Sequence, residues 1–82
     1  MKFLWDDINL AELKAHGVEA STAEMVFYAA DFRYLADPIR LNRFTAEGTV
    51  DRQFFRVPFS KVFPAGIRIT TAFPLSRKRR RT

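Results

Sequence analysis

The chain contains no cysteine, one histidine and one tryptophan. Without cysteine there are no disulfides and no thiolate metal ligands, which suits a reducing compartment. A lone histidine does not make a zinc site, so neither metal nor cofactor is expected. Apolar runs reach only a few residues, far short of the ~20 needed to cross a bilayer. No charged-then-apolar leader precedes Phe3, and the expectation is a cytoplasmic protein that neither spans a membrane nor is exported. Three glycines form no phosphate-cradling loop. Ser21, Ser60 and Ser76 lack a credible base with an orienting carboxylate, and no isolated carboxylate pair suggests glycoside chemistry. At 82 residues the chain is one domain with a marginal core.

Acids are scarce after Ile39. Up to that residue seven acids oppose three bases, a formal −4; from Arg40 onward eleven bases face only Glu47 and Asp51, a formal +9. Such segregation points to a polyanionic partner. Nine of those eleven bases are arginines, whose planar forks suit phosphate or carboxylate. Arg77, Lys78, Arg79, Arg80 and Arg81 follow Pro74 closely and repel one another, so residues 1–76 read as the domain and 77–82 as a basic tail.

The pattern predicts an α+β fold, with a short N-terminal strand and two helices packed on an antiparallel β-meander. Residues 2–5 suit the strand. Asp6 or Asp7 caps a helix running to Ala15, with Leu10 and Leu13 on one face and Gly17 as its left-handed stop. Ser21 and Glu24 have capping-box spacing and open a second helix over roughly residues 22–30, with Ala23, Val26, Phe27 and Ala30 recurring along it. Residues 32–35 are a short strand or loop closed by Asp37-Pro38. Residues 41–47, 53–59 and 67–73 have strand length, with turns at 48–51 and 63–66. Pro58 marks its strand as an edge or a bulge, because proline cannot donate to a ladder. In the last strand, alternation puts Ile67, Ile69, Thr71 and Phe73 on one face and Arg68, Thr70 and Ala72 on the other.

Several short patterns occur in order: Phe3-Leu4-Trp5-Asp6 with Asn9, His16-Gly17-Val18, residues 24–27, Arg43-Phe44 with Gly48, and Ile67-Arg68-Ile69-Thr70-Thr71-Ala72. Together they resemble the BrnT family across nearly the whole chain. The resemblance implies a RelE-like fold and the toxin role in a bacterial type II toxin-antitoxin pair. It also implies metal-independent ribonuclease activity on cellular RNA and neutralisation by a BrnA-like antitoxin, with operator DNA contacted only through the toxin–antitoxin complex. The chain departs from the family pattern at Phe73, Thr49 and Arg79, where members commonly carry arginine, arginine and glutamate. These departures motivate an alternative, a catalytically inactive relative serving as an antitoxin-binding or nucleic-acid-binding module.

A metal-free ribonuclease must activate the 2′-hydroxyl, stabilise the developing oxyanion and protonate the leaving oxygen. Arginine suits the second task and rarely the others. Arg68 matches the arginine of the Ile-Arg-Ile stretch and is the first candidate for a phosphate contact; a surface ion pair is the plain alternative. Arg52 and Arg56, on the neighbouring strand, are placed to converge with it unless they are merely solvated. Thr71 matches a small hydroxyl residue of the same stretch, although its parity places it in the core. Arg68, Arg52 and Thr71 are therefore the catalytic candidates. Arg56, Arg77, Lys78, Arg79, Arg80 and Arg81 are the nucleic-acid contacts. His16 reads as a helix-end residue covering the Gly17 turn rather than as an acid or base. Phe54, Phe55, Phe59 and Phe63 read mainly as core or antitoxin interface, with base stacking as the lesser role.

Overall fold

A computed structural model describes residues 1–76; the five basic residues from Arg77 to Arg81 lie outside the described residues. Two helices, α1 (Asp7–Ala15) and α2 (Ala20–Val26), precede five strands: β1 (Arg33–Ala36), β2 (Phe44–Val50), β3 (Gln53–Val62), β4 (Gly66–Ile69) and β5 (Phe73–Leu75). The strands form one antiparallel sheet in the order β1-β2-β3-β4, and β5 also pairs with β3. The expected α+β architecture is thus observed. No helix among the described residues is long and apolar enough to cross a membrane.

Asp6 caps α1 by accepting from the N–H groups of Ile8 and Asn9, at 2.9 and 3.0 Å. The Asn9 side chain returns a bond to the Asp6 N–H at 2.8 Å, completing a capping box. Gly17 follows with φ +71°, a backbone that glycine adopts without a Cβ penalty. Inward-facing positions are Asn9 and Leu13, four apart; Leu10, expected beside Leu13, is exposed. The buried Asn9 amide donates to the carbonyls of Leu4 and Ile69, tying the helix to the sheet.

The second helix starts two residues before the expected site and ends four earlier. Its N-cap is Glu19, with no side-chain cap bond. Glu24 does not close a box on Ser21, because its carboxylate accepts from the Trp5 indole N–H at 2.6 Å. A bond between distant segments therefore replaces the local one. Ala23, Val26 and Phe27 are buried as expected, while Ala30 is exposed beyond the helix. The predicted N-terminal strand contracts to one parallel bridge between Phe3 and Ile67.

Alternation along β3 buries Phe55, Val57 and Phe59 against the helices and leaves Phe54, Arg56 and Pro58 on the opposite face. Phe27 is central to this core, with ring centroids 5.2 Å from Phe3, 5.6 Å from Phe32 and 5.1 Å from Phe59. Burying one such side chain stabilises the fold by about 1.5–3 kcal/mol. The turn expected over residues 48–51 is shorter: β2 continues to Val50, and Asp51 and Arg52 alone turn the chain, with φ +50° and +70°. Gly48 lies inside the strand. A Cβ there would sit 3.0 Å from both the Ala29 Cβ and the Val26 carbonyl oxygen, so the glycine lets β2 approach the end of α2.

Pro58 lies in a central strand, contrary to an edge position, and its strand carries no bulge. The irregularity is in the partner. Between the pairs Phe59–Ile69 and Arg56–Phe73, β3 has two residues and the facing chain has three, which is the count of a β-bulge. Pro58 accepts through its carbonyl from the Thr70 N–H at 2.9 Å, so its missing donor faces the same irregular side. The break resets the parity of the last strand. Ile69 and Ala72 are buried, and Phe73 moves to the face of Arg56.

Candidate nucleic-acid interface

The outer sheet face carries one line of chemistry-bearing side chains. Arg33, Glu47, Arg56 and Phe73 are consecutive cross-strand partners on β1, β2, β3 and β5. Partners in an antiparallel ladder share a face, so these four side chains lie in a row, spanning roughly 14 Å at ~4.8 Å per strand. His16, the C-cap residue of α1, extends the row, with its ring centroid 5.7 Å from that of Phe73.

Glu47 forms the floor of the row. Only 6% of its surface is exposed. Arg33 donates from Nε to one carboxylate oxygen at 3.0 Å; Arg56 donates from Nε to the other at 3.0 Å, and its Nη2 stands 2.8 Å from that same oxygen. Burial alone would push this carboxyl up, but the hydrogen bonds and positive charges of Arg33 and Arg56 outweigh it and hold Glu47 below the ordinary glutamate range. The two guanidinium groups remain substantially open to solvent, with side-chain exposures of 68% and 43%. Each keeps N–H donors beyond those spent on Glu47. Two cations on one carboxylate leave one net positive charge, held at fixed spacing on rigid strands.

The sequence candidates do not gather into one patch. Arg68 lies opposite Ser60 and donates to both carboxylate oxygens of Asp6. That contact is the leading reason Asp6 is held below the ordinary aspartate range, and it joins β4 to the cap of α1. Arg52 sits in the β2–β3 turn, not on the strand. From the Arg52 position to Ser60 is eight residues of chain, roughly 26 Å at ~3.3 Å per residue, so Arg52 and Arg68 cannot grip one phosphate. Arg56 is in the row. Thr71 is half-buried in the break, and its hydroxyl is enclosed without a hydrogen-bond partner among the described residues.

A depression of about 610 Å³ lined by Thr49, Arg52, Gln53, Phe54, Pro74, Leu75 and Ser76 adjoins the row. Its floor includes Thr49 and Phe54, a cross-strand pair two residues along from Glu47 and Arg56. Arg52 is the ionisable side chain among these residues, so the described lining contains no acid–base pair. Among the described residues no three His, Asp or Glu side chains cluster as metal ligands would.

No family model and no curated protein matches the chain.

Three members of the row escaped the sequence reading: Arg33, Glu47 and His16. Arg33 lies in a segment that reads as either a short strand or a loop, and Glu47 reads only as one of two acids among many bases. His16 reads as a helix-end residue covering the Gly17 turn. What links them is strand register together with the break before Phe73, and a single sequence carries no local signal for either.

Proposed function

We propose that this protein is a BrnT-like toxin of a type II toxin-antitoxin pair, with a RelE-like fold and metal-independent ribonuclease activity. The row Arg33–Glu47–Arg56–Phe73–His16 supports this reading. Arg33 and Arg56 bind adjoining phosphate oxygens of single-stranded RNA through their free N–H donors. Phe73 stacks a base between guanidinium and imidazole. His16 accepts the proton of the attacking 2′-hydroxyl and passes it to the departing 5′-oxygen as the P–O bond breaks, the transfers that arginine cannot make, while the arginines stabilise the charge that develops on the phosphoryl oxygens. Arg68, bound to Asp6, closes the seam between α1 and β4. Neutralisation is by a BrnA-like antitoxin encoded beside it.

Purified protein incubated with RNA in EDTA tests this directly. Cleavage by the wild type, reduced at least 100-fold in Arg56→Ala and in His16→Ala with folding intact by circular dichroism, is the expected result. Unchanged cleavage in both variants rejects the site.

Two observations favour a second reading. Both row arginines already share a carboxylate, and Phe73 stands where the BrnT pattern carries another cation. A catalytically inactive relative that binds RNA or an antitoxin fits those facts. Salt-dependent RNA binding without cleavage, lost in Arg33→Ala, would select it.

A further inference from the structure

The loop between β1 and β2 is closed by short bonds. Asp37 accepts from the N–H groups of Ile39 and Arg40 at 2.8 and 2.9 Å, and its own N–H donates to the Arg43 carbonyl at 2.7 Å. The Asn42 side chain donates to the Lys61 carbonyl at 2.6 Å and accepts from the Lys61 N–H at 3.1 Å, which staples the loop to β3. Arg40 and Arg43 thus leave from a well-bonded backbone, as a preformed site requires.

Both arginines border a depression of about 100 Å³, with Asp37, Thr45, Pro58 and Thr70 also in its lining. Thr45 and Pro58 are cross-strand partners, and the Thr70 N–H donates to the Pro58 carbonyl at 2.9 Å. Pro58 shares the parity of Arg56 on β3, so this part of the lining belongs to the sheet face that carries the row.

The chemistry of the depression differs from that of the row. Arg33, Arg56 and Arg68 are each bound to a carboxylate, whereas among the described residues Arg40 and Arg43 make no ion pair. Asp37 is the acid in this lining. Bonds from the Arg40 and Ile39 N–H groups, and then the charges of Arg40 and Arg43, hold its carboxyl below the ordinary aspartate range. Two guanidinium groups against one carboxylate leave a net positive charge. The volume equals roughly three water molecules at ~30 Å³ each, room for a phosphate group and not for a nucleoside. A monoester offers three free oxygens and nearly two negative charges at neutral pH, where a backbone diester offers two oxygens and one charge. Two guanidinium forks and two threonine hydroxyls, reaching in from loop and sheet, suit the monoester.

We propose that this depression binds a phosphate monoester, with Arg40 and Arg43 holding its oxygens from the loop and Thr45 and Thr70 from the sheet. Thr45 and Pro58 stand two residues along their strands from Glu47 and Arg56, roughly 7 Å at ~3.3 Å per residue. The terminal phosphate of an RNA strand lying on the row therefore reaches it, and free phosphate carries the same group. Only the RNA source rests on the function proposed above.

The test reads binding without turnover. Short fluorescent 2′-O-methyl oligouridines, which lack the attacking hydroxyl, carry a 5′-phosphate, a 3′-phosphate or hydroxyls at both ends, and anisotropy is measured with the full chain at fixed ionic strength. One phosphorylated form should bind about tenfold tighter than the hydroxyl form, and Arg40→Gln combined with Arg43→Gln should abolish that preference. Thr70→Val should reduce it about threefold. Inorganic phosphate should raise the wild-type melting temperature relative to chloride at equal ionic strength, and leave that of the double variant unmoved. Both arginines are exposed, so the double variant should keep the wild-type circular dichroism. A phosphate-specific rise that the double variant loses, without any preference among RNA ends, supports the site and assigns free phosphate as its ligand. An end preference of equal size in the double variant overturns the proposal, and so does the absence of both effects. Neither result depends on whether the row cleaves RNA.

Discussion

Glu47 shows how one residue serves both stability and site geometry. Its carboxylate is buried, yet it stays charged because Arg33 and Arg56 bond to both oxygens. Replacing it by glutamine keeps the shape and removes the charge, leaving two guanidinium groups that repel across the row. We expect Glu47→Gln to destabilise the protein by about 1–3 kcal/mol at neutral pH, the usual loss for a charge-assisted hydrogen bond. The sign with pH follows from the lowered folded-state value. Stabilisation by the charged form is fully present above the unfolded-state value of about 4.3 and is lost as pH falls through the lower folded-state value. Melting temperatures measured from pH 7 down to 2 should show the gap between wild type and variant narrowing below pH 4. A gap independent of pH would mean that Glu47 acts by packing alone.

Elements in this fold are set by a mixture of local and distant bonds, and that mixture decides what could be read in advance. The Asp6 cap and the Gly17 stop depend on neighbours in sequence, and both were legible. The start of α2 was not, because Glu24 is taken by Trp5 from another segment. Nor was the row, whose ion pairs join residues 14 and 9 positions apart and depend on register. The break between β4 and β5 was half legible: Pro58 signalled an irregular ladder, but the extra residue fell on its partner. That break encloses the Thr71 hydroxyl without a partner among the described residues, and a buried unsatisfied group costs about 1–3 kcal/mol. Thr71→Val should therefore raise the chemical-denaturation stability by about 1 kcal/mol while leaving RNA cleavage unchanged. Lost cleavage in a stabilised variant would restore Thr71 to the catalytic set, and lowered stability would show that the hydroxyl has a partner. Gly48→Ala should act in the opposite direction. Its new methyl group would press on the Val26 carbonyl at 3.0 Å, and such overpacking typically costs about 1–3 kcal/mol. An unchanged denaturation midpoint would show that the end of α2 yields.

Across the whole molecule, charge is segregated along the chain and then partly cancelled by folding. Asp6 from the acidic half meets Arg68, and Arg33 joins Arg56 over Glu47, so the sheet face is polarised rather than broadly cationic. The formal +5 equals the five bases at positions 77–81, and without them bases and acids are equal in number. Binding that depended on net charge alone would therefore vanish with those five residues, whereas a fixed site on the sheet would survive them. Changing Arg77, Lys78, Arg79, Arg80 and Arg81 together to serine separates the cases. For single-stranded RNA each neutralised phosphate contributes about −0.7 to the slope of log K against log salt. The serine variant should retain a slope of about −0.7 to −1.4 from the two row arginines, and adding Arg33→Ala and Arg56→Ala should bring it near zero. A flat salt dependence in the serine variant itself would place the whole RNA contact in the basic segment and leave the Arg33–Glu47–Arg56 row a purely structural clamp.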